Sequence, residues 1–382
     1  MAVKKNYRNK SGRTGRMAIP NLGNYTIALD CAVRCMGLEP WSSTATSNHA
    51  MKLGIASARD SLCLPFKAHL GHFIEADNAG CEHAIMVNST GTCRLTYYRV
   101  LIENILREQG RKIRIWGLGF DGFKPPVFRY FDPGFFQFVV AVRLMIEKIL
   151  TIDTIETLAW QKRPAEYSTG ETSRVMKQCL EELAALDERR EVKKFHTAVK
   201  ERFNGIKTDA SFRPLYIGLI GEVSVLRDLQ LNQNIEQILG HMGCEVRNFF
   251  LLGAELGNLF GISFGEKALT TKQLAKTAFP YLKNPVGGHA LDSVARTILC
   301  ARDGFDAMIH LCPAGCMPEV SVRPILSAVS RDKDIPVLEI SFDEHTSATG
   351  IITRLEAFID ILKDRRRRGL GPAALKHGRI VS

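Results

Sequence analysis

The sequence predicts an α/β fold made of two parallel-sheet lobes joined by a helical connector. Three observations support this prediction. Short apolar runs of strand character alternate with helical periods over residues 17 to 132, helical periods alone fill residues 133 to 212, and the alternation returns over residues 213 to 363. Because strands joined by crossover helices run parallel, such alternation is typical of parallel sheets with helices on their faces.

The first lobe alternates helix and strand from its start. Apolar residues at helical spacing predict a helix over Asn24–Met36 and a second helix that opens at Pro65 and runs to Ala79. Proline favours the first turn of a helix, where its missing N–H leaves no hydrogen bond unmade. The remaining predicted elements are the buried strand Ala84–Val87, a helix over Arg94–Gln109 and the strand Lys112–Trp116.

The connector and the second lobe follow. The connector is first apolar, over Phe135–Leu150, and then charge-mixed, over Glu171–Arg202, so we expect its later part to be a solvated helical face. The second lobe repeats the architecture of the first. Its predicted strands are Leu215–Ile220, Val246–Leu251, Ala307–Leu311 and Val337–Phe342, and its predicted helices are Gln233–His241, Ala290–Arg302, Pro318–Ser330 and Thr349–Leu362.

The net charge of +11 is concentrated at the two ends of the chain. Six basic residues precede Met17, and the residues after Leu362 carry a further +6, which leaves −1 for everything between them. We therefore interpret residues 1–16 and 364–382 as solvated basic tails and predict neither a nucleic-acid groove nor a membrane surface. No apolar run reaches the roughly 18 residues of a membrane span, and no secretory signal precedes the fold, which predicts a soluble cytoplasmic protein.

Three of the ten cysteines directly precede a predicted helix. Cys63 and Cys316 each stand two residues before a proline, and Cys93 lies between a small-residue turn and the helix that follows it. The positive end of a helix dipole favours the thiolate, which is the form that binds metals, and α/β sheets bind ligands at the edge where such helices begin. The intervals of 30 and 223 residues match no standard ligand spacing, so the residues alone leave open both a shared metal site and ordinary buried thiols.

Four longer segments carry a resemblance to a known family. They are Cys63-Leu-Pro-Phe-Lys67, Gly287-Gly-His289 through Thr297-Ile298, His310 to Glu319, and Phe342 to Phe358. In these motifs and in their order, residues 17 to 363 resemble the acyl-CoA dehydratase activase-associated proteins, CoA activase-like iron–sulfur proteins related to 2-hydroxyacyl-CoA dehydratase subunits. The family's turn at the second cysteine reads Gly-Pro-Cys-Arg-Phe-Gly-Tyr-Tyr, whereas this chain has Gly91-Thr-Cys-Arg-Leu-Thr-Tyr-Tyr98, so the surroundings of Cys93 depart from the family pattern.

The resemblance implies two flavodoxin-like or Rossmann-like lobes with a [4Fe–4S] cluster in the cleft between them. Carried over residue by residue, the cluster ligands are Cys63, Cys93 and Cys316, and one iron stays open to substrate. Lys67 and Arg94, each close in sequence to a ligand, are expected to stabilise an anionic cluster. The implied partners are a separate ATP-dependent activase that supplies low-potential electrons, a small substrate for which an acyl-CoA is the candidate, and a second copy of the chain in a homodimer.

Two other functions stay open at this point. One is a cluster-bearing electron-transfer partner of an activase that has no substrate of its own. The other is a zinc-stabilised structural protein in which His69 or His72 joins the three cysteines. Cys312, four residues before Cys316, is a candidate further ligand if the cluster is larger than one cubane.

Several polar residues follow predicted strands and are candidates for substrate contact or acid–base chemistry. Glu222 and Arg227 follow the first strand of the second lobe and form either substrate contacts or an ion pair with each other. Asp343, Glu344 and His345 follow its last strand and are general acid–base candidates. The loop from Gly117 to Gly122 matches the dinucleotide fingerprint, but prolines follow where a helix would have to open, so we do not predict nicotinamide or flavin binding there.

Overall fold

A computed structural model describes residues 15–87, 93–118, 130–260 and 269–370 of the chain. Most of both basic tails, the Gly91–Thr92 turn before Cys93, and residues 119 to 122 of the glycine-rich loop lie outside these ranges. The described residues form two compact units. The first holds those up to Ile149 together with Leu183–Lys194, and the second holds Leu150–Glu182 together with those from Phe195 onward.

The first unit is built on a four-stranded sheet. Its strands are β1 (Arg16–Ala18), β2 (Glu39–Trp41), β3 (His83–Val87) and β4 (Arg114–Leu118). Its helices are α1 (Thr26–Cys35), α2 (Asn48–Ser57), α3 (Leu64–Asn78) and α4 (Tyr98–Glu108), and a short 3₁₀ helix, Arg94–Tyr97, leads directly into α4.

Three helices come next in the sequence, over the residues that we assigned to the connector. They are α5 (Phe135–Lys162), α6 (Glu171–Ala185) and α7 (Arg189–Asn204), with a 3₁₀ turn at Arg163–Ala165. The second sheet then has strands β5 (Leu215–Gly221), β6 (Cys244–Asn248), β7 (Ala307–Pro313) and β8 (Val337–Phe342). Its helices are α8 (Val223–Arg227), α9 (Ile235–His241), α10 (Leu252–Phe260), α11 (Thr271–Ala278), α12 (Ala290–Asp303), α13 (Met317–Lys333) and α14 (Ala348–Arg367).

Both sheets are entirely parallel and share one strand order. The first runs β2-β1-β3-β4 and the second runs β6-β5-β7-β8. In register, Ile85 of β3 lies opposite Trp116 of β4, and Leu219 of β5 lies opposite Ile309 of β7. The predicted α/β fold with two Rossmann-like parallel-sheet lobes is therefore confirmed. In this strand order, ligands are expected at the carboxyl ends of the two central strands.

Each sheet packs against helices through an apolar core of its own. In the first unit, Met86 of β3 lies in one cluster with Phe66 and Phe73 of α3. In the second, Met308 of β7 lies in one cluster with Val294 of α12 and with residues of α13. Full burial of one such side chain contributes about 1.5–3 kcal/mol, so these clusters fix where α3, α12 and α13 begin relative to their own sheets.

Helices α2 and α3 cross with their backbones in direct contact. A Cβ atom added to Gly71 would lie 1.7 Å from the carbonyl oxygen of Ala50, and one added to Gly54 would lie 1.9 Å from that of Lys67. Only glycine fits at either position, because backbone atoms of the other helix already occupy the space that a Cβ atom would take. This Gly54–Gly71 crossing sets the position of α3, whose first residues follow Cys63.

Some elements were not predicted. Strands β1 and β2 have three residues each, and β2 contains Pro40, so neither shows the alternation by which longer strands are recognised. β1 also begins at Arg16, inside the segment that we assigned to the N-terminal tail. At the other end, α14 continues to Arg367, beyond the expected end of the second lobe at Lys363.

Part of the positive charge near the C-terminal end has a structural role. Arg366 donates hydrogen bonds to the carbonyl oxygens of Arg213 and Pro214, at 3.1 and 2.9 Å, and to Asp306 Oδ2 at 2.7 Å. These bonds hold the last turns of α14 beside the start of β5. Within the part of the chain that the structure covers, no helix combines the length and the apolar character needed to span a bilayer.

Candidate functional site

The three cysteines singled out in the sequence all occupy the N-cap position of a helix. Cys63 precedes α3, Cys93 precedes the 3₁₀ helix that leads into α4, and Cys316 precedes α13. Their backbones are extended, and none of their sulfur atoms accepts a capping hydrogen bond. The prediction that they stand at helix starts is confirmed. Prolines in the first turns of α3 and α13 account for two of these starts.

Two of these helix starts are neighbours within the first unit. The Cys63 sulfur lies 2.6 Å from the Tyr98 hydroxyl, and Tyr98 is five residues beyond Cys93. Arg94 donates a hydrogen bond of 2.9 Å to the carbonyl oxygen of Ser61, two residues before Cys63. The structure therefore brings the segments of Cys63 and Cys93 together, while Cys316 belongs to the second unit.

Six other cysteines are held as neutral thiols by burial. Burial raises the pKa of Cys81 to about 11 and that of Cys31, Cys244 and Cys312 to about 12. It also raises the pKa of Cys179 and of Cys300. Metal ligation requires the thiolate, so these side chains are poor ligands as they stand. Cys312, the candidate further ligand, is among them and lies within strand β7.

No three His, Cys, Asp or Glu side chains within the described ranges form a group that could hold a metal ion. The donor chemistry of Cys63, Cys93 and Cys316 fits an iron–sulfur cluster, since each is a thiol at a helix N-terminus. All three lie within the described ranges, Cys63 and Cys93 in the first unit and Cys316 in the second. The cluster itself therefore stays a prediction from the sequence.

The histidines of the zinc alternative are buried inside α3. His72 Nε2 lies 2.7 Å from the carbonyl oxygen of Ile19, and the His69 ring packs against Tyr98 with a centroid distance of 6.2 Å. Burial, with the neighbouring His72, lowers the pKa of His69 to about 3. Burial also lowers the pKa of His72. Both imidazoles are therefore neutral at pH 7.

We expect His69 to make the protein less stable in weak acid. Its folded pKa of about 3 lies below the ordinary value of 6.5, so below pH 6.5 the unfolded chain takes up a proton that the folded chain excludes. Stability is then lost as the pH falls, by about 2 kcal/mol between pH 7 and pH 5. Urea unfolding at both pH values measures this loss, which should be smaller in His69→Gln and unchanged in the exposed-residue control His49→Gln. A loss of the same size in His69→Gln would contradict the prediction.

The second unit contains a polar pocket at the carboxyl end of β5. Gly221 at the end of this strand lines it, as do His289, Asp292, Ser293 and Arg296 from the N-terminal half of α12. The pocket has about 300 Å³ of atom-free space, including the part open to solvent. This is the position at which parallel α/β sheets bind ligands.

A buried hydrogen-bond network joins this pocket to the helix that begins after Cys316. Ser293 donates a hydrogen bond to Glu319 Oε2 at 2.9 Å, and His310 Nε2 lies 2.9 Å from the same oxygen. All three side chains are almost completely buried, with exposed fractions of 1% each. Glu319 lies in the first turn of α13, three residues beyond Cys316. Its carboxylate is therefore a buried hydrogen-bond partner as well as a negative charge near the positive end of the helix dipole. The network fixes the first turn of α13 against β7 and α12.

The other acid–base candidates have structural partners. Arg227 forms a buried ion pair with Glu156. Glu222 caps α8 by accepting a hydrogen bond from the backbone N–H of Val225 at 3.1 Å. Asp343 forms a local turn in which its carboxylate accepts hydrogen bonds from the His345 N–H and the Thr346 hydroxyl.

Sequence reasoning did not assign roles to the residues of the pocket. His289, Asp292, Ser293 and Arg296 stood inside a quoted motif, but only the resemblance drew attention to them. One available signal was their spacing, because polar residues three and four apart after Gly287-Gly288 place one polar stripe on the start of an otherwise apolar helix. In comparisons with known proteins, neither a family model nor a curated protein matches the chain.

Proposed function

We propose that the protein is a cytoplasmic redox protein that binds a [4Fe–4S] cluster through Cys63, Cys93 and Cys316. In this proposal it is reduced by a separate ATP-dependent activase and acts on a small substrate, with an acyl-CoA as the candidate class. The observation that carries the proposal is that these three cysteines, singled out by the resemblance to the dehydratase-related family, each occupy the N-cap of a helix.

The position of the thiols suits metal binding. An N-cap side chain lies next to backbone N–H groups that have no partner inside the helix and at the positive end of the helix dipole. Both features stabilise a thiolate relative to a thiol. They also provide N–H groups near the sulfur atoms of a bound cluster, which stabilises its negative charge.

Neighbouring side chains of the first unit support the same role. The Tyr98 hydroxyl is positioned to donate a hydrogen bond to the Cys63 sulfur. Arg94, which directly follows Cys93, is held in place by its hydrogen bond to the Ser61 carbonyl oxygen. Lys67 is buried in the first turns of α3, and its amine lies 3.4 Å from the Asp60 carbonyl oxygen. A hydroxyl and two cations close to the ligand positions favour an anionic centre there.

A bound cluster with three thiolate ligands would supply one-electron transfer and an open iron that acts as a Lewis acid. The chain's own contribution is to hold the ligands. Cys63 and Cys93 belong to the first unit and Cys316 to the second, so the proposal requires both units to supply thiols. A cluster-bearing electron-transfer partner without its own substrate would need the same three ligands, and the two roles differ in whether small molecules perturb the open iron.

The test is anaerobic purification of the full chain followed by iron and acid-labile sulfide analysis. We expect about four irons and four sulfides per chain, with near-complete loss of both in each of Cys63→Ala, Cys93→Ala and Cys316→Ala. Cys81→Ala and Cys244→Ala are matched controls, because both thiols are buried and held neutral, and they should retain full iron content.

Three outcomes would decide against the proposal. Protein that stays colourless and iron-free after reconstitution with iron and sulfide excludes the cluster. Retention of the full cluster in any one of the three ligand variants excludes that ligand. Stoichiometric zinc in place of iron would favour the zinc-stabilised structural protein instead. If the cluster is present, a change in its electron paramagnetic resonance spectrum on addition of an acyl-CoA separates the enzyme from the electron-transfer partner.

A further inference from the structure

The pocket at the carboxyl end of β5 contains a buried guanidinium without a full set of partners. Arg296 is 6% exposed, and its Nε atom is buried and has no hydrogen-bond partner. Its nearest carboxylate oxygen, Asp292 Oδ1, is 3.8 Å from Nε, too far for a hydrogen bond. The guanidinium carbon lies 4.9 Å from the ring centroid of Phe249, which holds its plane in place at the pocket wall.

Burying a guanidinium is costly unless its N–H groups are paired, because they lose their bonds to water. A second buried cation, Arg247, lies close enough to Arg296 to be affected by it. Burial and the charge of Arg296 together lower the pKa of Arg247 to about 10. Two buried guanidinium groups are therefore close to each other here, and Asp292 and Glu255 are the carboxyl groups that interact with Arg296.

The pKa values of the carboxyl groups around the pocket are raised. Burial raises the pKa of Asp292, and burial raises the pKa of Glu255, with the nearby Asp292 adding to the effect. Burial also raises the pKa of Glu222, which lies next to Gly221. A raised pKa means that burial makes the charged form of each carboxyl group less favourable than it is in water.

The backbone adds to the same preference. Helix α12 begins after Gly287 and Gly288, whose φ values of 92° and 53° are accessible to glycine, and it has 14 residues. Its N-cap residue His289 makes no side-chain capping bond, and His289 and Asp292 of its first turns line the pocket. The positive dipole end of α12 thus lies at the same pocket as the Arg296 guanidinium.

We propose that this pocket binds the carboxylate group of a small monocarboxylic acid, with the Arg296 guanidinium as its principal partner. The pocket is small, with about 300 Å³ of atom-free space including the part open to solvent, so only a small ligand fits. Arginine is suited to this ligand because its planar fork matches the two oxygens of a carboxylate.

Two other ligands fit less well. A phosphate carries a second negative charge at neutral pH, which Asp292, Glu255 and Glu222 would oppose. A metal ion lacks a ligand set, because the described residues contain no group of three suitable side chains, and Arg296 would repel it. The proposal does not rest on the iron–sulfur cluster, since none of its residues is a predicted cluster ligand. Ser293, which lines the pocket, is nevertheless bonded to Glu319, three residues after Cys316.

The test is isothermal titration calorimetry of the full chain with sodium acetate and sodium propionate, with and without bound iron. Propionamide and inorganic phosphate are the comparison ligands. We expect propionate to bind, propionamide not to bind, and phosphate to bind more weakly than propionate. Arg296→Gln should weaken propionate binding at least about tenfold, because a charge-assisted hydrogen bond is lost. Asp292→Asn should strengthen binding by about threefold, because a competing negative charge is removed.

Two further variants keep the result interpretable. Arg296→Lys retains the charge without the fork and should bind propionate more weakly than the wild type but more tightly than Arg296→Gln. Arg302→Gln, on the same helix and paired with the adjacent Asp303, should leave binding unchanged. Equal binding of propionamide and propionate, tighter binding of phosphate, or unchanged binding in a folded Arg296→Gln protein would each overturn the proposal. Absence of propionate binding in wild-type protein, whether or not the cluster is present, would also overturn it and leave the cluster proposal unaffected.

Discussion

Replacing Gly71 by alanine is expected to lower the free energy of unfolding by about 3 kcal/mol or more. The new Cβ atom would lie 1.7 Å from the carbonyl oxygen of Ala50 and 2.8 Å from the backbone nitrogen of Gly54. Both atoms belong to the backbone of α2, so no side-chain rotation can relieve the overlap and the two helices have to separate. Separation opens the core between α3 and the first sheet as well.

Urea unfolding followed by circular dichroism measures the effect, and the chain offers a matched control. Gly350 lies in the first turn of α14, and a Cβ atom there would meet only the Ser347 hydroxyl oxygen, at 3.3 Å. Gly350→Ala should therefore change the free energy of unfolding by no more than about 1 kcal/mol in either direction. Equal stability of the Gly71→Ala and wild-type proteins would show that α2 and α3 do not cross in backbone contact.

The second large loss of stability is expected when Glu319 is replaced by leucine. Two groups, the Ser293 hydroxyl and His310 Nε2, converge on one oxygen of this carboxylate at 2.9 Å each, and all three residues are buried. In Glu319→Leu both buried groups lose this hydrogen-bond partner. The expected cost is about 3–5 kcal/mol of unfolding free energy, the range for breaking a buried pair from one side.

The double variant Glu319→Leu, His310→Leu distinguishes the cost of losing the Glu319–His310 contact from the cost of changed packing. Because the double variant also removes the imidazole that Glu319→Leu leaves without this partner, it should recover part of the stability lost in Glu319→Leu, as measured by urea unfolding. The control is Glu339→Gln, which breaks the partly exposed ion pair with Arg323 and should cost no more than about 1 kcal/mol. A single variant Glu319→Leu as mild as Glu339→Gln would contradict the role that we give to the network.

Helices and strands were predicted most accurately where the sequence around them has a clear local pattern. Strand β8 was predicted with its observed bounds, Val337–Phe342, because an apolar run between a proline and an acidic turn leaves little choice. The helices that begin after Cys63 and Cys316 were predicted because proline marks a helix start. β1, β2 and α2 were missed because short strands and a helix of mixed composition have weak local patterns. They are stabilised by contacts with residues that lie far away in the sequence.

The candidate site was only partly accessible from the sequence for the same reason. The N-cap positions of the three cysteines are local properties and could be predicted. The contact between Cys63 and Tyr98 spans 35 residues, and the bond between Ser293 and Glu319 spans 26, so neither has a periodic signature. The buried state of Arg296 was equally hidden, because an arginine on an amphipathic helix ordinarily reaches solvent.

The Gly54–Gly71 crossing also limits how the sequence can change over time. In most cores a larger side chain at one position can be offset by a smaller one at its neighbour. Here both positions already hold the smallest residue, so no second substitution can compensate for a gain in size at either. Relief would require α3 to shift along or away from α2, and that shift would carry Cys63 with it. The two glycines are thus linked to the placement of a proposed ligand that neither of them touches.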